Sequence, residues 1–174
     1  MNSTTSTPNP VIFDLIALTK PRVNFLIIFT AIVGMLLAQD FNLNYSLMIY
    51  ASIGIYLAAS AAAVINQIVD QKIDAIMDRT KSRPLIKGNV TSKHAIYFSI
   101  VISLISTYIL YEYVNTITTV LTLFSIIVYS IIYSVYLKNL TSQNIVIGGI
   151  AGAMPPLLGL SLIHISEPTR PSII

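Results

Sequence analysis

Asn66, Asp70, Asp74 and Asp78 follow one another at intervals of four residues. On a helix each such step advances by only about 40°, so the four side chains form a slowly turning stripe along one face. Carboxylates crowded on one face repel, and a bound cation relieves that repulsion. Oxygen ligands alone favour a hard ion, and the two carboxylates of Asp70 and Asp74 with the Asn66 amide suit Mg²⁺ that keeps waters and phosphate oxygens as its other ligands. Arg79, Lys81, Arg83 and Lys87 come immediately after, in a segment that also holds Ser, Pro and Gly. A metal site beside anion-binding donors fits a diphosphate, whose oxygens a metal bridges while guanidinium forks take the remaining charge. The same residue types also have a plainer use. Lys and Arg just inside a membrane commonly set topology, with acids as solvated partners. Lys72, Lys87 and Lys93 fit that use better, and Asp78 fits either. Asn66 and Asp70 adjoin an apolar stretch, where polar groups are costly and mostly functional.

The stripe must be carried by a membrane helix, because little else in the chain is polar. The 174 residues are 55% hydrophobic and 10% charged, with a mean hydropathy of +0.77, whereas an ordinary soluble domain is roughly a quarter charged. These values exclude a disordered chain and a nucleic-acid-binding domain despite the net charge of +3. The lack of cysteine excludes a disulfide scaffold, a thiolate nucleophile and Cys-ligated metals. A crossing helix needs about 20 mainly apolar residues. Five stretches meet or approach this: Val23 to Ala38, Leu47 to Val69, Ala95 to Tyr113, Thr116 to Leu137 and Ile145 to Ile165. The fold class expected is therefore all-α, a polytopic membrane bundle of about five helices with no separate soluble domain.

The head, residues 1–10, is polar and lacks the basic start of a signal peptide, so a disordered leader is expected there. Val11 to Thr19 reads either as a short interfacial helix or as the frayed start of the first span. Nine of the ten basic residues, Lys20 and Arg22, then Lys72 to Lys93, then Lys138, fall on one side of the predicted spans. That side is cytoplasmic by the positive-inside rule, which puts the N-terminus inside.

Ala58 to Ala63 make a small-residue wall just before the stripe. A diphosphate held at the membrane surface beside a cavity lined by that wall points to a lipid diphosphate with its tail in the bilayer, and to allylic transfer. The tyrosines of the third and fourth spans (Tyr97, Tyr108, Tyr111, Tyr113, Tyr129, Tyr133, Tyr136) suit interfacial anchoring, with cation-π shielding of an allylic cation as the other use. His94 reads as a solvated interfacial residue, or else as a contact for a bound ligand. Gly148 and Gly152 permit close helix packing, and Pro155-Pro156 should kink or break the fifth span.

The string Asn66-x3-Asp70-x3-Asp74, followed by Asp78-Arg79-Thr80-Lys81-Ser82-Arg83-Pro84-Leu85, resembles the first acidic motif of the UbiA-type intramembrane prenyltransferases. Two further stretches, Leu18 to Val23 and Tyr136 to Pro156, resemble the branch that farnesylates haem, and the likeness covers approximately Leu18 to Gly159. The resemblance implies a nine-helix all-α enzyme that uses Mg²⁺ to ionise farnesyl diphosphate and joins the farnesyl carbon to a vinyl group of haem b, making haem O. It assigns Asn66, Asp70 and Asp74 to metal and diphosphate, and Arg79, Lys81, Arg83 and Arg22 to the departing charge. Two departures stand out. Lys72 occupies a position where that branch usually has Asp, and the second acidic motif of the superfamily lies beyond the five spans present. Residues 11–159 thus read as a partial prenyltransferase membrane domain, inactive alone. Leu160 to Arg170, LSLIHISEPTR, looks like a translated sequencing adapter, so residues 160–174 are expected to be artefactual and His164, Glu167 and Arg170 to be no site. Transfer to an aromatic quinone precursor remains a second reading. A transporter fragment whose acids coordinate a coupling ion is a third.

Overall fold

A computed structural model describes residues 11–38, 44–130 and 154–159. Seven helices follow in order: α1 (Val11–Leu18), α2 (Pro21–Ala38), α3 (Tyr45–Val69), α4 (Gln71–Asp74), α5 (Pro84–Lys87), α6 (Ser92–Tyr113) and α7 (Thr116–Ile127). Residues 154–159 are helical as well, and no strand occurs among the described residues. The chain is an all-α membrane bundle.

Length and apolarity qualify α3 and α6 as membrane-crossing helices. At about 1.5 Å per residue, the 25 residues of α3 reach roughly 37 Å, beyond the hydrocarbon thickness of about 30 Å. The first expected span qualifies together with α1, from which α2 is bent by 45°. Val11–Leu18 is thus a helix of its own, with a break at Thr19 and Lys20 before Pro21 starts α2. The fourth span is present as a shorter apolar helix over Thr116–Ser130. Its expected remainder to Leu137 lies outside the described residues, as do Tyr133, Tyr136, Lys138, Gly148, Gly152, the leader and the 160–174 tail.

The centre of the bundle is the pairing of α3 with α6. Buried residues recur on α6 at Ala95, Ser99, Ile102, Ser106 and Leu110, a helical spacing of three and four. Opposite Ser106 and Leu110, α3 offers Gly54, also buried. Small residues let the backbones approach. A Cβ added at Gly54 would lie 2.5 Å from Leu110 Cδ2, and the Ser106 hydroxyl donates to the Gly54 carbonyl at 2.7 Å. On the other side of α3, Ala31 and Met35 of α2 pack with Ala51, Ile55 and Leu158 in one apolar cluster. Here again glycine sets the distance: a Cβ on Gly34 would lie 2.6 Å from the Pro156 carbonyl oxygen, and one on Gly159 2.4 Å from that of Ala31.

Asn44 and Asn115 cap α3 and α7 by accepting from the backbone N–H three residues on, and Thr91 caps α6 in the same way. The segment from Asp70 to Thr91 thus hangs between the ends of two closely packed helices, a fixed frame for whatever it carries.

Candidate prenyl diphosphate site

At the end of α3 the polar stripe is built by helix continuation. The backbone N–H of Asp70, the C-cap of α3, donates to the Asn66 carbonyl at 2.9 Å, and that of Asp74 donates to the Asp70 carbonyl at 2.8 Å. Asn66, Asp70 and Asp74 therefore stay on successive turns of one face although α3 and α4 are separate helices. Both acids are buried, at 6% and 5% exposure.

The stripe ends there. After Asp74 the chain leaves the helix, so Asp78 departs from the face that its spacing predicts. Its side chain is 95% exposed and pairs with Lys81 at 2.7 Å. A solvated pair of that kind contributes about 0–1 kcal/mol.

The turn that follows folds back onto Asp74. Thr80, buried, donates its hydroxyl to the Asp74 carbonyl at 2.8 Å, and Arg83 N–H donates to the Thr80 carbonyl at 3.0 Å. These two bonds bring the Arg83 guanidinium to the Asp74 carboxylate, where Nη1 donates to Oδ2. Pro84 then begins α5 without a wasted N–H, and Gly88 at φ +77° closes it in the left-handed conformation. Further ties hold the segment in place: Ser92 to Gln71 at 2.9 Å and Asn89 to Asp14 of α1 at 3.1 Å.

A cavity of about 460 Å³ lies beside α3, within the range of about 300–1,000 Å³ usual for small-molecule sites. Its walls include Ala58, Ala59, Ala62 and Ala63 of α3, Val23, Ile27 and Thr30 of α2, Ser125 and Tyr129 of the fourth span, and Met154, Pro155 and Leu158. Ala58 and Ala62 precede Asn66 and Asp70 along α3, and none of Asn66, Asp70, Asp74 and Arg83 is among the described residues that line the cavity.

The expected site residues are thus partly assembled. Asp74 and Arg83 meet, with Asn66 and Asp70 on the adjoining turns. Arg79 and Lys81 are exposed on the same turn. Arg22 is exposed in the first turn of α2 and does not line the cavity. Of the tyrosines, Tyr129 lines the cavity. Tyr97, Tyr108 and Tyr111 are exposed, and Tyr113 stacks on Tyr50 at 4.5 Å between ring centroids. His94 is exposed, its Nδ1 bonded to the Thr91 hydroxyl at 2.9 Å.

Sequence reasoning passed over Lys20, Asn24, Gln67 and Thr80. Asn24 and Gln67 gave a signal, being amides inside apolar stretches. Thr80 gave none, because its role depends on a turn that only the fold creates.

The UbiA prenyltransferase family profile matches residues 27–173, most of the chain. The chain belongs to the UbiA prenyltransferase family. Among its relatives, the protoheme IX farnesyltransferase of Hahella chejuensis is 50% identical over 146 residues, which are 84% of this chain and 49% of that one. The protein of the same name from Xanthomonas campestris pv. campestris is 53% identical over 149 residues (84% and 50%), and that of Ruthia magnifica is 51% identical over 156 residues (88% and 52%). The chain spans about half the length of the curated relatives it matches. No solved structure matches it. UbiA prenyltransferases generally depend on a divalent metal. Among the described residues no three of the His, Cys, Asp and Glu side chains are grouped so as to hold one.

Proposed function

We propose that this chain carries the prenyl diphosphate half of a membrane enzyme that transfers a farnesyl group from farnesyl diphosphate to a vinyl group of haem b, making haem O. The observation that carries the reading is the run of Asn66, buried Asp70 and buried Asp74 on successive turns from the end of α3 into α4, with Arg83 folded onto the last, while the preceding turns of α3 wall an apolar cavity with alanines. The similarity, at about half identity, to proteins named protoheme IX farnesyltransferase supports haem as acceptor over an aromatic quinone precursor.

The donor set fits a hard divalent ion: two buried carboxylates and an amide on successive turns, all oxygen, with Asp74 already sharing its charge with a cation. Asn66, Asp70 and Asp74 would hold Mg²⁺, which when bound supplies positive charge to the diphosphate oxygens. Arg83, beside Asp74, lies where its guanidinium can take a second share of that charge, and Arg79 and Lys81 lie on the same turn. Leaving-group stabilisation of this kind lowers the barrier because the donors are placed before charge develops. The carbon–oxygen bond of the allylic diphosphate breaks with its electron pair staying on diphosphate, and the alanine wall keeps water from the allylic carbon. That carbon bonds the terminal vinyl carbon of the haem, and the positive charge left on the inner vinyl carbon is taken up by water, which loses a proton to solvent and becomes the hydroxyl of the product.

The excess of basic residues on the side of the Asp70 to Thr91 segment supports a cytoplasmic N-terminus and a site at the inner face of a bacterial plasma membrane. The test is to incubate membranes containing the full-length gene product with haem b, farnesyl diphosphate and Mg²⁺ and to weigh the haem. A haem bearing a hydroxyethylfarnesyl group is expected. Unchanged haem with a farnesylated aromatic acid would move the assignment to the quinone branch.

A further inference from the structure

The break between α1 and α2 holds a backbone conformation that its sequence does not favour. Lys20 has φ +53°, the left-handed region that a long side chain rarely occupies, and it precedes Pro21, whose ring disfavours helical geometry in the residue before it. Such a residue persists where its surroundings over-determine it, and these sites cluster at binding and catalytic centres.

The surroundings here are specific. Asn24, 1% exposed, donates through Nδ2 to the Thr19 carbonyl at 2.9 Å and to Ser60 Oγ at 2.8 Å. Gln67, also buried, donates to the Leu18 carbonyl at 2.6 Å. Two buried amides, one of them on the turn of α3 that carries Asn66, thereby tie the two residues before Lys20 to the helix that bears the acidic stripe. Lys20 lines the cavity alongside Ala59, Ala62 and Ala63. Among the described residues that line it, Lys20 is the one charged group.

We propose that Lys20 binds an oxyanion of the substrate whose apolar part occupies this cavity, and that Asn24 and Gln67 are the positioning residues that hold it there. The inference rests on the prenyl-transfer reading and deepens it. An ammonium is a point charge with three donors and serves either a diphosphate or a carboxylate of the acceptor. The cost of forcing a lysine into the left-handed region is offset by what that geometry achieves, a cation fixed at the wall of an apolar cavity.

These 174 residues hold no cysteine, so with any cysteine in the remainder of the full-length protein replaced by serine, Lys20→Cys introduces a single thiol. Binding of farnesyl diphosphate and of haem b is measured on the detergent-solubilised full-length protein and on Lys20→Met, Lys20→Cys and Lys93→Met. Lys20→Met is expected to weaken one ligand at least tenfold and Lys93→Met less than twofold. Alkylating the Lys20→Cys thiol with 2-bromoethylamine, which displaces bromide and leaves an ammonium at the reach of lysine, should restore binding, and iodoacetamide should not. Lost farnesyl diphosphate affinity assigns Lys20 to the diphosphate, whereas lost haem affinity alone assigns it to the acceptor carboxylates. Unchanged binding of both ligands by Lys20→Met overturns this inference and leaves the prenyl-transfer reading standing. A wild-type protein that binds neither overturns both. For the positioning role, Asn24→Leu should add nothing to the loss already caused by Lys20→Met. An additive loss returns Asn24 to packing alone, and the cysteine rescue decides Lys20 even where Asn24→Leu does not fold.

Discussion

The Asp74–Arg83 pair joins two residues with different proposed roles, metal ligand and diphosphate donor, which makes their substitutions informative in different ways. Asp70→Ala and Asp74→Ala in the full-length protein should abolish turnover while leaving membrane insertion intact, as measured by haem mass analysis and membrane fractionation. Retained turnover would remove both from the metal role. Arg83→Ala removes charge-assisted hydrogen bonds worth about 1.5–3 kcal/mol, so farnesyl diphosphate affinity should fall by roughly ten- to a hundredfold. Unchanged affinity in a binding titration would leave Arg83 as a partner for Asp74 and a topology signal. Thr80 acts one step back. Thr80→Val leaves the Asp74 carbonyl without its hydroxyl donor inside a buried turn, a loss of about 1–3 kcal/mol, and Thr80→Ser should recover most of it in the same titration. At this scale the sequence was readable where spacing alone decides the outcome. Asn66, Asp70 and Asp74 obey helical periodicity and so occupy one face. Asp78 obeys it on paper only, because the chain leaves the helix after Asp74 and turns on Thr80, and no spacing rule states where a helix gives way to a turn.

Among the elements, α3 is at once the packing core and the carrier of the site, and its small residues serve both purposes on different faces. Gly54 admits Leu110 and Ala58 with Ala62 walls the cavity, so bulk added to either face is felt at once. Gly34→Ala should cost more than Gly54→Ala. The first meets the backbone of Pro156 and the second a leucine side chain that can rotate, within an overpacking range of about 1–3 kcal/mol. Thermal melting in detergent of the two variants checks the order, and equal melting temperatures would contradict it. Ser106→Ala, which loses only a hydroxyl donated to the Gly54 carbonyl, should cost about 0.6 kcal/mol, the average for hydrogen bonds between membrane helices. Hydropathy made the existence of α2, α3, α6 and α7 legible. Which glycine would matter was not. Gly148 and Gly152, which have the familiar small-residue spacing, lie outside the described residues, and among those described the close contacts are made by Gly34, Gly54 and Gly159, because contact depends on partners brought together from distant parts of the chain.

For the whole molecule, the positive-inside rule applied to the basic residues predicts a cytoplasmic side for the proposed site. In intact cells a cysteine placed at Ser3 should be shielded from an impermeant maleimide and one placed at Asn42 should react. The opposite pattern would put the diphosphate site on the outer face, away from a cytosolic supply of prenyl donor. The pairing of α3 with α6 also orders events in time. The stretch from Asp70 to Tyr113 separates the end of one helix from the end of its partner, and a ribosome making about 5–20 residues per second needs roughly two to nine seconds to complete it. Throughout that interval α3 resides in the translocon or the lipid with the hollow at Gly54 unfilled and the Gly54 carbonyl without its serine. The acids at its end leave the ribosome ahead of the arginine that will neutralise one of them. A pause in translation after α6 has left the ribosome would give it time to dock, and faster synthesis would lengthen the queue of unpaired helices instead.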